Sequence, residues 1–167
     1  MDEQTNQIHQ LVAILEDELA ELEKMTAAAR RQNDALRRND GEKLLEATGE
    51  LELLARALKA LQAARSEVQA RVERDCGLPP GTPLAEVAAA LPLVPVARQA
   101  AHLAAGLREK ARELAELIRL NNLLAQNGLR FCSLLLRAVD PSRTRTYLPD
   151  GAVSKDGANP PLLDKSV

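Results

Sequence analysis

Aromatic side chains are almost missing from this chain: they make up 1 % of 167 residues, and Phe131 and Tyr147 supply them. Small-molecule pockets are usually lined by aromatic and mixed apolar groups around a few polar ones, so the shortage argues against an enzyme-type site. An excess of charge of one sign is missing as well. The 22 basic and 24 acidic residues leave a net charge of −2, which provides no electrostatic footprint for nucleic acid. No uncharged apolar run approaches the ~18 residues of a membrane span. The acidic start Met1-Asp2-Glu3-Gln4 has no apolar run behind it, so no signal peptide is expected. Cysteine is scarce: Cys76 falls in a connector and Cys132 in a helical pattern, the usage expected of reduced thiols in a cytosolic, cytoplasmic protein.

Chemistry-bearing motifs are also scarce. His9 and His102 have no Cys, Asp or Glu partner at metal-ligand spacing, and no Glu-x-x-His pair occurs. There is no phosphate-binding glycine loop, nucleophile elbow or Cys-x-x-Cys. Cys76 beside Gly77 has no nearby His or Lys to activate its thiol. Asp17, Glu18 and Glu21 read as a solvated helix face. No catalytic, cofactor-binding or metal-binding residue is therefore assigned, and no cofactor is expected.

What the chain does have is leucine and alanine in a 46 % hydrophobic composition, interleaved with 28 % charged residues. That is the composition of long packed helices. The expected fold is all-α: an antiparallel bundle of three long helices, a short connector helix, and a mobile C-terminal tail. The bundle is expected to fill residues 1–140, with helices at about 3–38, 42–75, 83–91 and 96–139, and the flexible polar tail to run over 141–167. In the first helix Ile8, Leu11, Leu15, Leu22, Met25, Ala29 and Leu36 recur at helical spacing. Arg30, Arg31, Arg37 and Arg38 gather near its C-terminal end, where they suit the helix dipole.

Asn39-Asp40-Gly41 reads as a tight turn, with Asp40 capping the second helix. A short turn makes the two helices antiparallel neighbours. Leu44, Ala47, Leu51, Leu54, Leu58, Leu61, Val68 and Val72 form a heptad seam interrupted by Arg65. Gly77 is the expected C-cap. After Leu78-Pro79-Pro80-Gly81, Thr82-Pro83 restarts a helix, with threonine as N-cap and proline at the first helical position. Pro92 stops that helix and Pro95 marks the start of the last. The last helix should bury Ala100, Leu103, Leu107, Leu114, Leu117, Ile118, Leu124, Phe131 and Leu135.

The end of this helix differs from the rest. Between Leu129 and Val139 only Arg130, Ser133 and Arg137 are polar, more apolar surface than one amphipathic stripe requires. The helix also exceeds the second by about ten residues, so with level starts its end would overshoot by roughly 15 Å. Such a surface marks a binding site, or is buried on the first helix or in a homodimer. Asn121 falls near the seam, as a register-setting core residue or a partner contact. Gly128 costs about 1 kcal/mol relative to alanine and would permit close approach of another helix. The apolar Leu124, Phe131, Leu134 and Leu135, with Asn121 and Gly128, are the candidate partner-binding residues. Beyond Asp140-Pro141, the polar tail carries Tyr147.

Three features are similar to the FlgN family of flagellar export chaperones. They are the layout of two long helices, a proline-containing connector and a longer helix; the segment Leu120-Asn121-Asn122-Leu123-Leu124-Ala125-Gln126-Asn127; and the tail Thr146-Tyr147-Leu148-Pro149-Asp150-Gly151, which resembles the family's Tyr-x-x-Asp-Gly. Leu148 stands where the family commonly has glycine, and the helices are unusually rich in alanine. The resemblance implies a cytosolic chaperone in bacterial flagellum biogenesis and type III protein export. It would bind the C-terminal helical segments of hook-associated (hook–filament junction) proteins of the FlgK and FlgL type. It would prevent their premature assembly and deliver them to the export gate of the flagellar export apparatus. Tyr147 would dock on that gate, or the tail would fold back on the groove until cargo displaces it. The competing class is a self-associating coiled-coil structural or tethering protein; an all-helical enzyme is a third.

Overall fold

Asn39 and Asp40 reverse the chain within two residues and lay the second long helix back along the first. In the computed structural model, which describes residues 2–139, helix α1 spans Asp2–Arg38. It stops because Asn39 takes a left-handed conformation, φ 55°, which asparagine tolerates better than most residues. The Asn39 N–H then donates to the Leu36 carbonyl at 3.3 Å and the Asp40 N–H to that of Ala35 at 2.9 Å, satisfying carbonyls the helix end leaves open. Asp40 also starts helix α2 (Gly41–Asp75) by accepting a hydrogen bond from the Lys43 N–H at 3.1 Å. That backbone hydrogen bond, helped by the Lys43 side chain, holds the Asp40 carboxyl below the usual carboxylate range. The cross-helix pairs Arg65–Glu18, Gln32–Thr48 and Arg31–Glu50 fall in opposite order along α1 and α2, so the two run antiparallel.

The end of α2 repeats the same device with glycine. Gly77 has φ 68°, its N–H donates to the Arg74 carbonyl, and the Leu78 N–H donates to that of Glu73. Leu78 thereby packs on the core. Helix α3 spans Leu84–Ala90 and helix α4 Val94–Val139. The described residues thus form four helices and no strand. The chain divides into two compact units, Met1–Leu124 and Ala125–Val167; the described part of the second is residues 125–139. The expected tail over 141–167, with Tyr147, lies outside the described residues.

Within the first unit the core has two centres. Ile8, Leu11, Val12 and Leu15 of α1 meet Val68 and Val72 of α2, Val87 and Ala88 of α3, and Ala100 and Leu103 of α4. Further along, Leu22, Met25 and Ala29 meet Leu114, flanked by Leu51, Leu54, Leu58 and Leu117. Each large side chain so enclosed contributes roughly 1.5–3 kcal/mol. Gly106 faces Leu19, whose methyls lie 3.6 Å from where a β-carbon would stand.

Several expectations need correction. Glu18 and Glu21 are buried, not solvated; of the three carboxylates only Asp17 is exposed. Each buried carboxylate has a cationic partner: Arg65 Nε of the neighbouring helix donates to Glu18 Oε1 at 2.9 Å, while Lys24 pairs with Glu21 at 3.0 Å. The arginine that interrupts the α2 seam thus reaches across to a buried carboxylate. It also donates to Gln69, which donates to Glu73 and to the Thr82 carbonyl. Glu73 Oε2 accepts from the Gly81 N–H at 3.0 Å, so this polar cluster holds the connector before α3. Thr82 is not the N-cap. Pro83 occupies that position without a side-chain cap, because the Thr82 hydroxyl donates to the Pro79 carbonyl at 2.6 Å. Helix α4 begins at Val94, ahead of Pro95; a proline in the first turn forfeits no hydrogen bond there. Ile118, Phe131 and Leu135, expected on the buried face of α4, are exposed.

Candidate partner-binding surface

Positions of α4 separated alternately by three and four residues form one continuous seam: Ala100, Leu103, Leu107, Lys110, Leu114, Leu117, Asn121, Leu124, Gly128, Phe131, Leu135 and Ala138. This is the a/d pattern of a helix packed on other helices. Up to Leu124 every member is buried or half-buried. From Gly128 onward every member is exposed. The pattern continues unchanged while the burial stops.

The last fully buried member is Asn121, at 3 % exposure. Its Oδ1 accepts from Asn33 Nδ2 at 2.7 Å. Its Nδ2 donates to the Ala29 carbonyl and to Gln32 Oε1, both at 2.9 Å. Gln32 in turn donates to the Thr48 hydroxyl of α2 at 3.0 Å. One polar layer therefore ties α4 to α1 and α1 to α2. Hydrogen bonds between α1 and α4, from Gln99–Glu16 to Asn33–Asn121, fall in the same order along both helices. A buried amide satisfied in this way costs little, whereas an alternative register would strand it. Sequence alone does not single out the partners Asn33, Gln32 and Thr48. The available signal was a second asparagine near the seam of α1, in the layer that matches Asn121.

Among the candidate residues, Leu124 is half-buried, and Gly128 is exposed with open space where a β-carbon would stand. Phe131, Leu134 and Leu135 are exposed at 60, 63 and 50 %. Around them Leu129, Leu136 and Val139 are exposed too, as is Cys132. The structure thus brings Asn121 into the interior and leaves Phe131, Leu134 and Leu135 together on the last turns of α4. Tyr147 lies outside the described residues. A helix of mixed character would hide its apolar side; here apolar side chains occupy most of the circumference, and Arg130, Ser133 and Arg137 the remainder. Ser133 Oγ is turned back onto the Leu129 carbonyl at 2.9 Å, so it presents no free hydroxyl hydrogen. What such a surface can do is take up the apolar face of another helix.

Burial, with Asp75 adding to it, pushes the Cys76 thiol above its ordinary value, which disfavours the reactive thiolate. Among the described residues no group of three or more His, Cys, Asp or Glu side chains is placed to hold a metal ion. No helix among them is long and apolar enough to cross a membrane.

The family model described as FlgN protein matches residues 1–155. No curated protein and no solved structure matches the chain.

Proposed function

The chain belongs to the FlgN family, the flagellar export chaperones, and from that premise we propose that its cargo is the C-terminal helical segment of hook-associated proteins. The observation that carries this reading is the exposed apolar end of α4, where Phe131, Leu134 and Leu135 stand uncovered. The α4 seam is packed within residues 1–124, and from Gly128 onward the same seam is offered to cargo. Leu124 begins the face, Gly128 lets a partner helix approach closely, and Asn121 sets the register from which the face is displayed.

The work is physical, not chemical. A hook-associated protein of the FlgK or FlgL type has apolar helical segments that assemble once exported. Covering them in the cytoplasm keeps them from associating too early, and release at the export apparatus returns them. Helix-in-groove recognition uses anchors one and two turns apart, the spacing of Leu124, Phe131 and Leu135. The tail over 141–167, through Tyr147, serves the second task of docking on the export gate. A self-associating coiled coil is the second reading, favoured by the same exposed leucines.

Isothermal titration with the C-terminal helix of a hook-associated protein from the same organism separates the two. Saturable one-to-one binding, weakened about tenfold or more by Phe131→Ala, is the expected result. A folded protein that ignores the helix and sediments as a dimer, reverting to monomer on Leu135→Ala, would favour the second reading.

A further inference from the structure

The apolar end of α4 has a charged edge that no carboxylate among the described residues answers. Residues 125–139 contain Arg130 and Arg137 and no aspartate or glutamate. Elsewhere in the described chain four of twelve arginines meet carboxylates: Arg30 with Glu113, Arg31 with Glu50, Arg65 with Glu18, Arg119 with Glu116. Arg130 and Arg137 are exposed and take part in no ion pair among the described residues. Seven residues apart, they lie within about 20° of each other around the helix. Together they line one border of the apolar face, beside Leu134.

We propose that the helix bound here is amphipathic with acidic side chains along one border of its apolar stripe, set to meet Arg130 and Arg137. This rests on the reading of the α4 end as the cargo surface and names the chemistry by which cargo is selected. Continuity argues that the occupant is a helix: Gly128, Phe131 and Leu135 prolong the a/d seam that α1 already covers up to Asn121. Charge argues that the occupant is foreign. A second copy of this face would bring two more arginines and no carboxylate, placing like charges along the shared border. Flanking charges of this kind set partner choice and orientation more than affinity, so the border sorts helices that the leucines alone would accept equally.

The test uses the full chain and two fluorescent synthetic helices with the same leucine stripe, bordered by glutamate in one and lysine in the other. The glutamate helix should bind about tenfold more tightly at low salt, as expected for two exposed pairs. The gap should close toward ~1 M salt. Arg130→Glu with Arg137→Glu should reverse the order; both sites are exposed, and an unchanged urea midpoint verifies the fold. Equal binding of both helices would overturn the acidic-border proposal and leave the cargo surface standing. Binding of neither helix would overturn both. Capture of vesicles rich in anionic lipid, uncompeted by either helix, would replace a protein partner with a membrane surface.

Discussion

Leu114 and Leu135 occupy equivalent seam positions of one helix, three heptads apart, and meet opposite fates. Leu114 is 6 % exposed among Leu22, Met25 and Ala29; Leu135 is 50 % exposed. Between them the helix changes neither its period nor its appetite for leucine. What changes is the supply of partners, since α1 answers α4 through Asn33 and offers no hydrogen bond further along among the described residues. Apolar periodicity therefore reports that a helix surface wants covering, and says nothing of whether the cover belongs to the same chain.

The comparison can be broken most directly at these two positions. Leu114→Ala removes a buried side chain and should cost about 2–5 kcal/mol in urea unfolding. Leu135→Ala, the same deletion on the exposed part, should stay within about 0.5 kcal/mol. A large loss at Leu135 would mean that the free protein already covers its apolar end.

The next effect sharpens the boundary between the two parts. Asn121→Ala strands the buried Asn33 amide and removes the partner of the half-buried Gln32 Oε1, and should cost about 1–3 kcal/mol. Adding Asn33→Ala should cost less than its effect alone, with a coupling of about 0.5–3 kcal/mol between the two sites. Additive losses would mean the amides do not hold one another.

Smallest is the acid response at the α1–α2 corner. The folded pKa of Asp40 lies below its ordinary value because the Lys43 N–H and side chain favour the carboxylate. Its contribution is therefore complete above the usual carboxylate pKa and fades as pH falls through the lowered one. Glu113, held down first by Lys110 and then by Arg30, has the same sign. Thermal midpoints of Asp40→Asn should lie below the parent at neutral pH and converge with it below about pH 4. Parallel curves would mean that Asp40 contributes nothing to the acid response.

Much of the fold is legible in the residues. The α2 seam, the Asp40 cap, the Gly77 terminus and the halt before Pro92 are local features, decided by neighbours within one helical turn. The failure at Thr82 is a contact three residues away; those at Glu18, Asn121 and the α4 end are non-local. Glu18 and Glu21 look solvated because a helix wheel cannot see a partner on another helix; for Glu18 that partner is Arg65. Thr82 looks like an N-cap because Thr-Pro usually opens a helix, but its hydroxyl finds the Pro79 carbonyl instead. Asn121 stands out in the sequence, while Asn33, Gln32 and Thr48 do not, because a polar layer is defined by three helices at once. The role of the α4 end stays open between self-burial and partner binding, since its leucines are compatible with both.

Cys132 offers the most direct test of the central claim, that the last turns of α4 stand open and are covered by cargo. It lies on the exposed face, while Cys76, half-buried and with a raised pKa, serves as internal reference. Alkylation rates of both thiols should be measured in the free chaperone and with a saturating hook-associated C-terminal helix. An open cargo surface predicts fast labelling of Cys132 in the free protein, suppressed by cargo, with Cys76 slow throughout. A Cys132 that is slow from the start, or whose rate ignores bound cargo, would contradict it.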